Sequence, residues 1–209
     1  MTKQERIDTI VEIEWNMFHT VNGEKRAFCQ DDRRTFEIMR RAQYAAWSEE
    51  AVACFCGDIT AAEQAGRNLS REKYIRMMKH SDPAGYAAFA QELPALTPRQ
   101  EELAEALLEK LLAQTERMRE RYPLIALGGR PLRARDEHDG WTSVETYQLG
   151  ESLTYSEATL EALLKHLEAL EAQGIDLAFE IQKNTVLGLG FPSMDAAEQA
   201  MAAQMGAGR

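Results

Sequence analysis

Cysteine is scarce: Cys29, Cys54 and Cys56 are the only three in 209 residues. They cannot all pair within the chain and fit no CxxC or zinc-ligand spacing, so a reducing cytoplasm is the simple reading. Long apolar runs are missing. No stretch approaches about 18 consecutive apolar residues, which excludes a membrane-spanning helix, and Met1–Arg6 opens with charges where a secretory signal would need an apolar segment. Residues that favour strands are few, with nine Ile and five Val, and no segment alternates with a period of two. Positive charge is outnumbered: 24 Lys and Arg against 34 Asp and Glu leave a net −10. That balance argues against a sequence-independent grip on nucleic acid or an anionic membrane.

Several motifs are also absent. There is no glycine-rich phosphate loop after a strand, no serine nucleophile elbow and no nucleic-acid-binding motif. The Glu-x-x-His pairs of a di-iron bundle are missing as well. No metal and no cofactor is therefore expected.

What the chain has is Ala, Leu and Glu, 76 residues in all. These lose little on entering a helix. The six prolines lie between, or at the start of, helical runs. The fold class is all-α.

Periodicity predicts a first helix over Lys3–His19, then a polar loop to Asp32. A long helix is expected from Arg33 to Ala65, stopped at Gly66, with Gly57-Asp58 able to kink it. A shorter helix follows over Ser70–Lys79, closed by Ser81–Gly85. Thr97, Pro98 and Gln100 form the signature of a capping box that opens a helix to Tyr122. After a loop over Pro123–Trp141, Thr142-x-x-Glu145 is the same signature, opening a long helix to Gly174. A helix over Leu177–Leu187 and a short Ala-rich helix with a frayed tail complete the chain.

The two long helices superimpose without gaps at an offset of 108 residues. Over the 42 positions from Asp31 to Glu72, nine are identical in the two copies. Average composition would give about three. Ser48-to-Gly66 and Ser156-to-Gly174 both span 18 residues, so a helix start and stop repeat together. The expected architecture is one domain over 1–209. It has two pseudo-two-fold halves of helix–loop–long helix–helix, 1–92 and 97–192, and a tail over 193–209.

Polar residues on apolar helix faces mark the candidate site. Glu14 lies in the stripe of Ile7, Val11 and Phe18, where a carboxylate must be paired, hydrated or protonated. Arg40, Gln43 and Glu50 share a face with Phe36, Met39, Trp47 and Cys54. Their partners at offset 108 are Gln148, Glu151 and Ala158. Facing helices with inward polar groups build ligand sites in bundles. A buried Glu14–Arg40 salt bridge completed by Gln43 would explain the same residues structurally.

Two charged loops add candidates: Arg26 with Gln30-Asp31-Asp32, and Arg130, Arg133 and Arg135 with Asp136–Asp139. Arginine forks suit carboxylates or phosphates, and His138, flanked by acids, suits general acid–base work. Four sequential ligands around His138 would rarely converge on one metal ion, and charge runs are commonly solvated turns.

The strings Trp15-Asn-Met-Phe18, Cys29-Gln30-Asp31-Asp32 and Thr35–Arg40 with Gln43 resemble a bacterial helical family, domain of unknown function 4125. Thr142–Tyr147 to Thr154-Tyr155-Ser156 resembles its second signature. The resemblance covers about residues 5–200. It carries no assigned catalytic roles and implies a single-module, soluble bacterial protein of the cytoplasm.

The expected function is a small-molecule enzyme, a lyase or hydrolase for an amino-acid-like or carboxylate substrate bound between the halves. Arg26, Arg40 and Arg133 would hold anionic groups, with Gln43 and Glu151 beside them; Glu14, Asp31 or His138 would exchange protons. The alternative is a non-catalytic ligand-binding or scaffolding protein. A homodimer is a further possibility; nucleic acid and membrane are not expected as partners.

Overall fold

A computed structural model describes residues 1–21, 31–127, 129–138 and 141–207, with the side chains of 206 and 207 left aside. Eleven α-helices account for most of these residues: α1 Lys3–His19, α2 Arg33–Ala46, α3 Glu49–Gln64, α4 Leu69–Ser81, α5 Pro83–Phe89, α6 Pro98–Arg121, α7 Pro123–Ala126, α8 Val144–Ser152, α9 Glu157–Glu171, α10 Leu177–Gly188 and α11 Met194–Ala207. Among the described residues there is no strand, only an isolated bridge between His138 and Trp141.

Both expected long helices are broken. The break falls at Trp47-Ser48 and at 153–156, while Gly57 sits undisturbed inside α3. Ser48 and Ser156 are extended N-caps whose hydroxyls accept from the N–H of Ala51 and Thr159. Serine followed by Glu49-Glu50 is a strong helix start, and it outcompetes continuation of the preceding helix. The second capping signature also shifts by one residue. Ser143, not Thr142, caps α8, and Glu145 instead accepts from the N–H of Ala134 at 2.8 Å. At α6 the Thr97 cap forms as expected, but the Gln100 side chain turns away to the Tyr155 carbonyl at 2.6 Å.

The helix stops match the sequence. Gly66 and Gly174 have φ of +69° and +71°. Each is followed by a residue whose N–H reaches back to a carbonyl in the last turn, Arg67 to Ala62 at 2.9 Å and Ile175 to Leu170 at 3.0 Å. One segment read as a loop is a helix instead, and the Ala-rich helix expected at the C-terminal end forms and runs on to Ala207. Asp82 caps α5 just after α4, with Pro83 in its first turn. In α11, Met194 and Ala197 are buried, and the Glu198 carboxylate accepts from the N–H of Leu124 and Ile125.

α1 packs on α2, α3 and α4, whereas α6 packs on α8, α9 and α10. The two sets meet with α3 on α9, α2 on α10 and α4 on α8. One buried cluster runs through both, from Ile7, Ile10 and Val11 of α1 to Leu160, Leu163 and Leu167 of α9. At its centre the rings of Tyr44, Trp47, Phe55 and Tyr155 meet edge-on or stacked at 4.9–5.8 Å.

Candidate functional site

α2 and α8 end at the seam between the two sets because each chain turns there into a new helix. The last turns of both helices therefore carry polar groups into the interior. Arg40 is the hub. Its Nε donates to Glu14 Oε2 at 2.8 Å and its Nη2 to Glu14 Oε1 at 2.5 Å. Nη1 donates to Gln43 Oε1 and to Glu151 Oε1, both at 3.0 Å. Nη2 also reaches the Tyr44 hydroxyl. Five contacts use the five N–H groups that a guanidinium offers.

Glu151 receives the rest of the cluster. Gln43 Nε2 donates to it at 3.0 Å, the Tyr155 hydroxyl at 2.8 Å, and Lys73 Nζ takes the second carboxylate oxygen. Lys73 Nζ also lies 3.3 Å from the centre of the Tyr147 ring. Two cations and two carboxylates thus balance in charge. Burial opposes the charge on Glu151, but Arg40 and Lys73 outweigh it and hold the carboxyl well below the usual range. Burial and the neighbouring carboxylates push the Tyr44 and Tyr155 phenols well above theirs.

Beside this cluster lies a cavity of about 490 Å³, walled by α1, α2, α4, α8 and α10. Glu14, Arg40, Lys73 and Glu151 form its polar wall, and Phe36, Met39, Val144 and Ile181 contribute to its apolar one. Met39 is 54% exposed, which places it at the mouth. Tyr147, Gln148 and Gln182 also line the cavity.

Of the residues singled out in the sequence, Glu14, Arg40, Gln43 and Glu151 come together on this wall. Asp31 is exposed one residue before the N-cap of α2 and is not in the lining. His138 is also exposed, its Nδ1 3.0 Å from the Asp136 carbonyl. Arg133 lies 3.9 Å from Glu116, away from the cavity. Arg26, Gln30 and Asp139 lie outside the described residues. The loop that carries His138 folds back on the start of α8: Val144 N–H donates to the Pro131 carbonyl at 2.8 Å, and Ser143 N–H to Glu137 at 2.8 Å. That backbone anchoring turns His138 outward and leaves Arg130 as this loop's residue in the lining. Glu50 leaves the cluster too, paired at the surface with Lys165 at 2.7 Å, because the break at Ser48 ends the register it shared with Arg40.

Lys73 escaped the sequence reading, yet its signal was of the kind that marked Glu14. It sits midway between Leu69 and Met77, a charge at i+4 in a buried stripe. Among the described residues, no three His, Cys, Asp or Glu side chains converge as a metal site would require.

These features define an all-α protein with an interior charge cluster and a small-molecule-sized cavity at the seam of its two helix sets. The chain belongs to the family described as "Protein of unknown function (DUF4125)", which matches residues 4–199. No curated protein and no solved structure matches it.

Proposed function

We propose that this chain binds a small organic molecule in the cavity between α2, α4, α8 and α10. One observation carries the reading: a cavity of about 490 Å³ persists beside a charge cluster that is already internally satisfied. A purely structural salt-bridge network would be packed over, because interiors close to crystal-like density leave few voids larger than a water. A cavity mostly apolar with a few polar groups is the usual form of a ligand pocket. The amides of Gln148 and Gln182 support this, since each lines the cavity without a hydrogen-bond partner among the described residues.

Thermal-shift screening of the full chain against amino acids, organic acids and uncharged aromatics tests it, because a ligand selective for the native state raises the melting temperature. Gln148→Trp, which fills the cavity from a half-buried position, is expected to abolish the shift. Stabilisation that survives this substitution would place the ligand elsewhere and overturn the reading.

A catalytic version, a lyase or hydrolase for an amino-acid-like or carboxylate substrate, is favoured by the two carboxylates, Glu14 and Glu151, on the cavity wall. Among the described residues Glu151 accepts from four side chains and Glu14 from Arg40 alone, so Glu14 would act, and Glu14→Gln would have to abolish turnover while sparing binding. The wider reading is of one domain built from two duplicated halves in a reducing cytoplasm. The matched N-caps, the left-handed glycines and the free thiols of Cys54 and Cys56 support it. No described helix is long and apolar enough to cross a membrane.

A further inference from the structure

We propose that the ligand is a flat, largely apolar monocarboxylic acid, its carboxylate on Arg130 at the rim and its body against Phe36 and Tyr147. The proposal rests on the small-molecule reading above and adds the ligand's class and orientation. Three cations line the cavity, Arg40, Lys73 and Arg130, and three carboxylates, Glu14, Glu151 and Asp32, the last of which caps α2 by accepting from the Thr35 N–H at 3.0 Å. Arg40 has all five donors committed, so a substrate carboxylate there would have to break bonds to Glu14 or Glu151. Lys73 is held between Glu151 and the Tyr147 ring. The inner wall is therefore neutral as a whole and offers no net charge to an ionic group.

Arg130 differs. It is exposed, donates Nη1 to the Thr142 carbonyl at 3.1 Å, and has no carboxylate partner among the described residues. Its guanidinium carbon sits 4.8 Å from the centre of the Tyr147 ring, and with one Nη1 donor on Thr142 its remaining N–H groups are open for a carboxylate. One lining cation without a carboxylate partner among the described residues, in a chain of net charge −10, matches one negative charge better than a phosphate dianion.

The body follows from the remaining wall. Phe36 stacks on Phe18 at 5.3 Å and 13°, making a flat aromatic surface on the α2 side. Tyr147 supplies a second aromatic wall from α8, and Met39 and Ile181 add apolar surface. Flat aromatic bodies gain from offset or edge contact with such rings beyond simple area burial. Gln148, Gln182 and the Tyr147 hydroxyl, all without hydrogen-bond partners among the described residues, can read one neutral polar substituent.

Titration calorimetry of the full chain with benzoate, trans-cinnamate and indole-3-acetate, each against its carboxamide, tests the assignment. At least one acid is expected to bind, with its amide at least about tenfold weaker. Arg130→Gln is expected to erase that preference and to lower the ligand-free melting temperature only slightly, since the side chain is exposed and gives up one hydrogen bond and one ring contact. Equal binding of acid and amide, or a preference that survives Arg130→Gln, would overturn the carboxylate assignment while leaving the cavity reading intact. Phenylalanine binding more tightly than trans-cinnamate would also overturn it, in favour of a zwitterion whose ammonium group sits on Asp32, which lines the cavity. If none of the six compounds binds, the class is wrong. The cavity reading then fails too only if no compound of the wider screen gives a shift sensitive to Gln148→Trp.

Discussion

Gln43 and Glu151 stand 108 positions apart and hydrogen-bond to each other at 3.0 Å. Trp47 and Tyr155 are separated by the same interval, and their rings meet at 5.8 Å. Both contacts lie at the seam where the two helix sets meet, and the polar cluster sits there with them. Asp58 and His166, a third pair at this interval, both reach across the same seam: Asp58 accepts from the Ser156 N–H at 2.9 Å, and His166 lies 2.9 Å from the Ala46 carbonyl. Chemistry breaks the correspondence. Arg40 is matched by Gln148 and Lys73 by Ile181, so both cations come from one set, and the carboxylate of Glu151 answers them from the other.

Glu151→Gln is expected to destabilise the fold by about 3–5 kcal/mol, because it leaves Lys73 and Arg40 buried with only Glu14 to offset them. Adding Lys73→Met should recover part of the loss. Chemical denaturation of the four members of the cycle should show coupling of about 0.5–3 kcal/mol. Strictly additive effects would mean that Lys73 and Glu151 do not act as a pair.

Stability should also depend on pH through the same residue. The folded-state carboxyl of Glu151 lies well below its unfolded value, so its contribution is complete above about pH 4.5 and disappears as pH falls below that. Tyr44 and Tyr155 act at the other end. Their raised phenols favour the fold below about pH 10 and cease to do so as pH climbs past it. Denaturation midpoints measured from pH 3 to 11 should form a plateau with two falling limbs. Glu151→Gln should flatten the acid limb and soften the alkaline one without removing it, since burial still raises both phenols.

Much of this was legible in the sequence. The all-α class, the bounds of α1, the glycine stops and the Glu14–Arg40–Gln43 grouping follow from periodicity and from the cost of burying charge. The breaks in the long helices were not seen, although Ser48-Glu49-Glu50 is a helix start. An apolar period that runs across Trp47 masked it. His138, Asp31 and Arg133 looked catalytic because charged residues cluster there, but Asp31 lies outside the cap of α2, and the direction of His138 and Arg133 depends on bonds from Pro131, Leu132 and Glu137 to the start of α8, which no local pattern encodes. Lys73 and Arg130 meet Tyr147 only through the packing of α4 and the 129–138 loop on α8.

Gly66→Ala and Gly174→Ala should each cost about 1 kcal/mol. A Cβ at either position meets nothing within 4 Å, so the penalty is the left-handed backbone alone. Near-equal losses in melting temperature are expected from the matched φ values. A loss at only one site would show that the two stops are not energetically alike.

Gly150 is different in kind, since its backbone is ordinary helix and its constraint is space. A Cβ there would lie 2.7 Å from Met77 Cγ and 3.1 Å from the Lys73 carbonyl, where α8 crosses α4. Clearing Met77 Cγ takes a rotamer change of a buried side chain, and the Lys73 carbonyl belongs to the helix backbone, so α4 must give by a few tenths of an ångström. Gly150→Ala should therefore cost about 1–3 kcal/mol, despite alanine's better helix propensity. It should also displace Lys73 from Glu151, which sits one residue further along α8. Two readouts separate these effects: the denaturation midpoint reports the overpacking, and the acid limb of the stability profile reports the weakened pair. A variant as stable as the parent with an unchanged acid limb would show that α4 and α8 are not in the close approach that brings the cluster's second cation to its carboxylate.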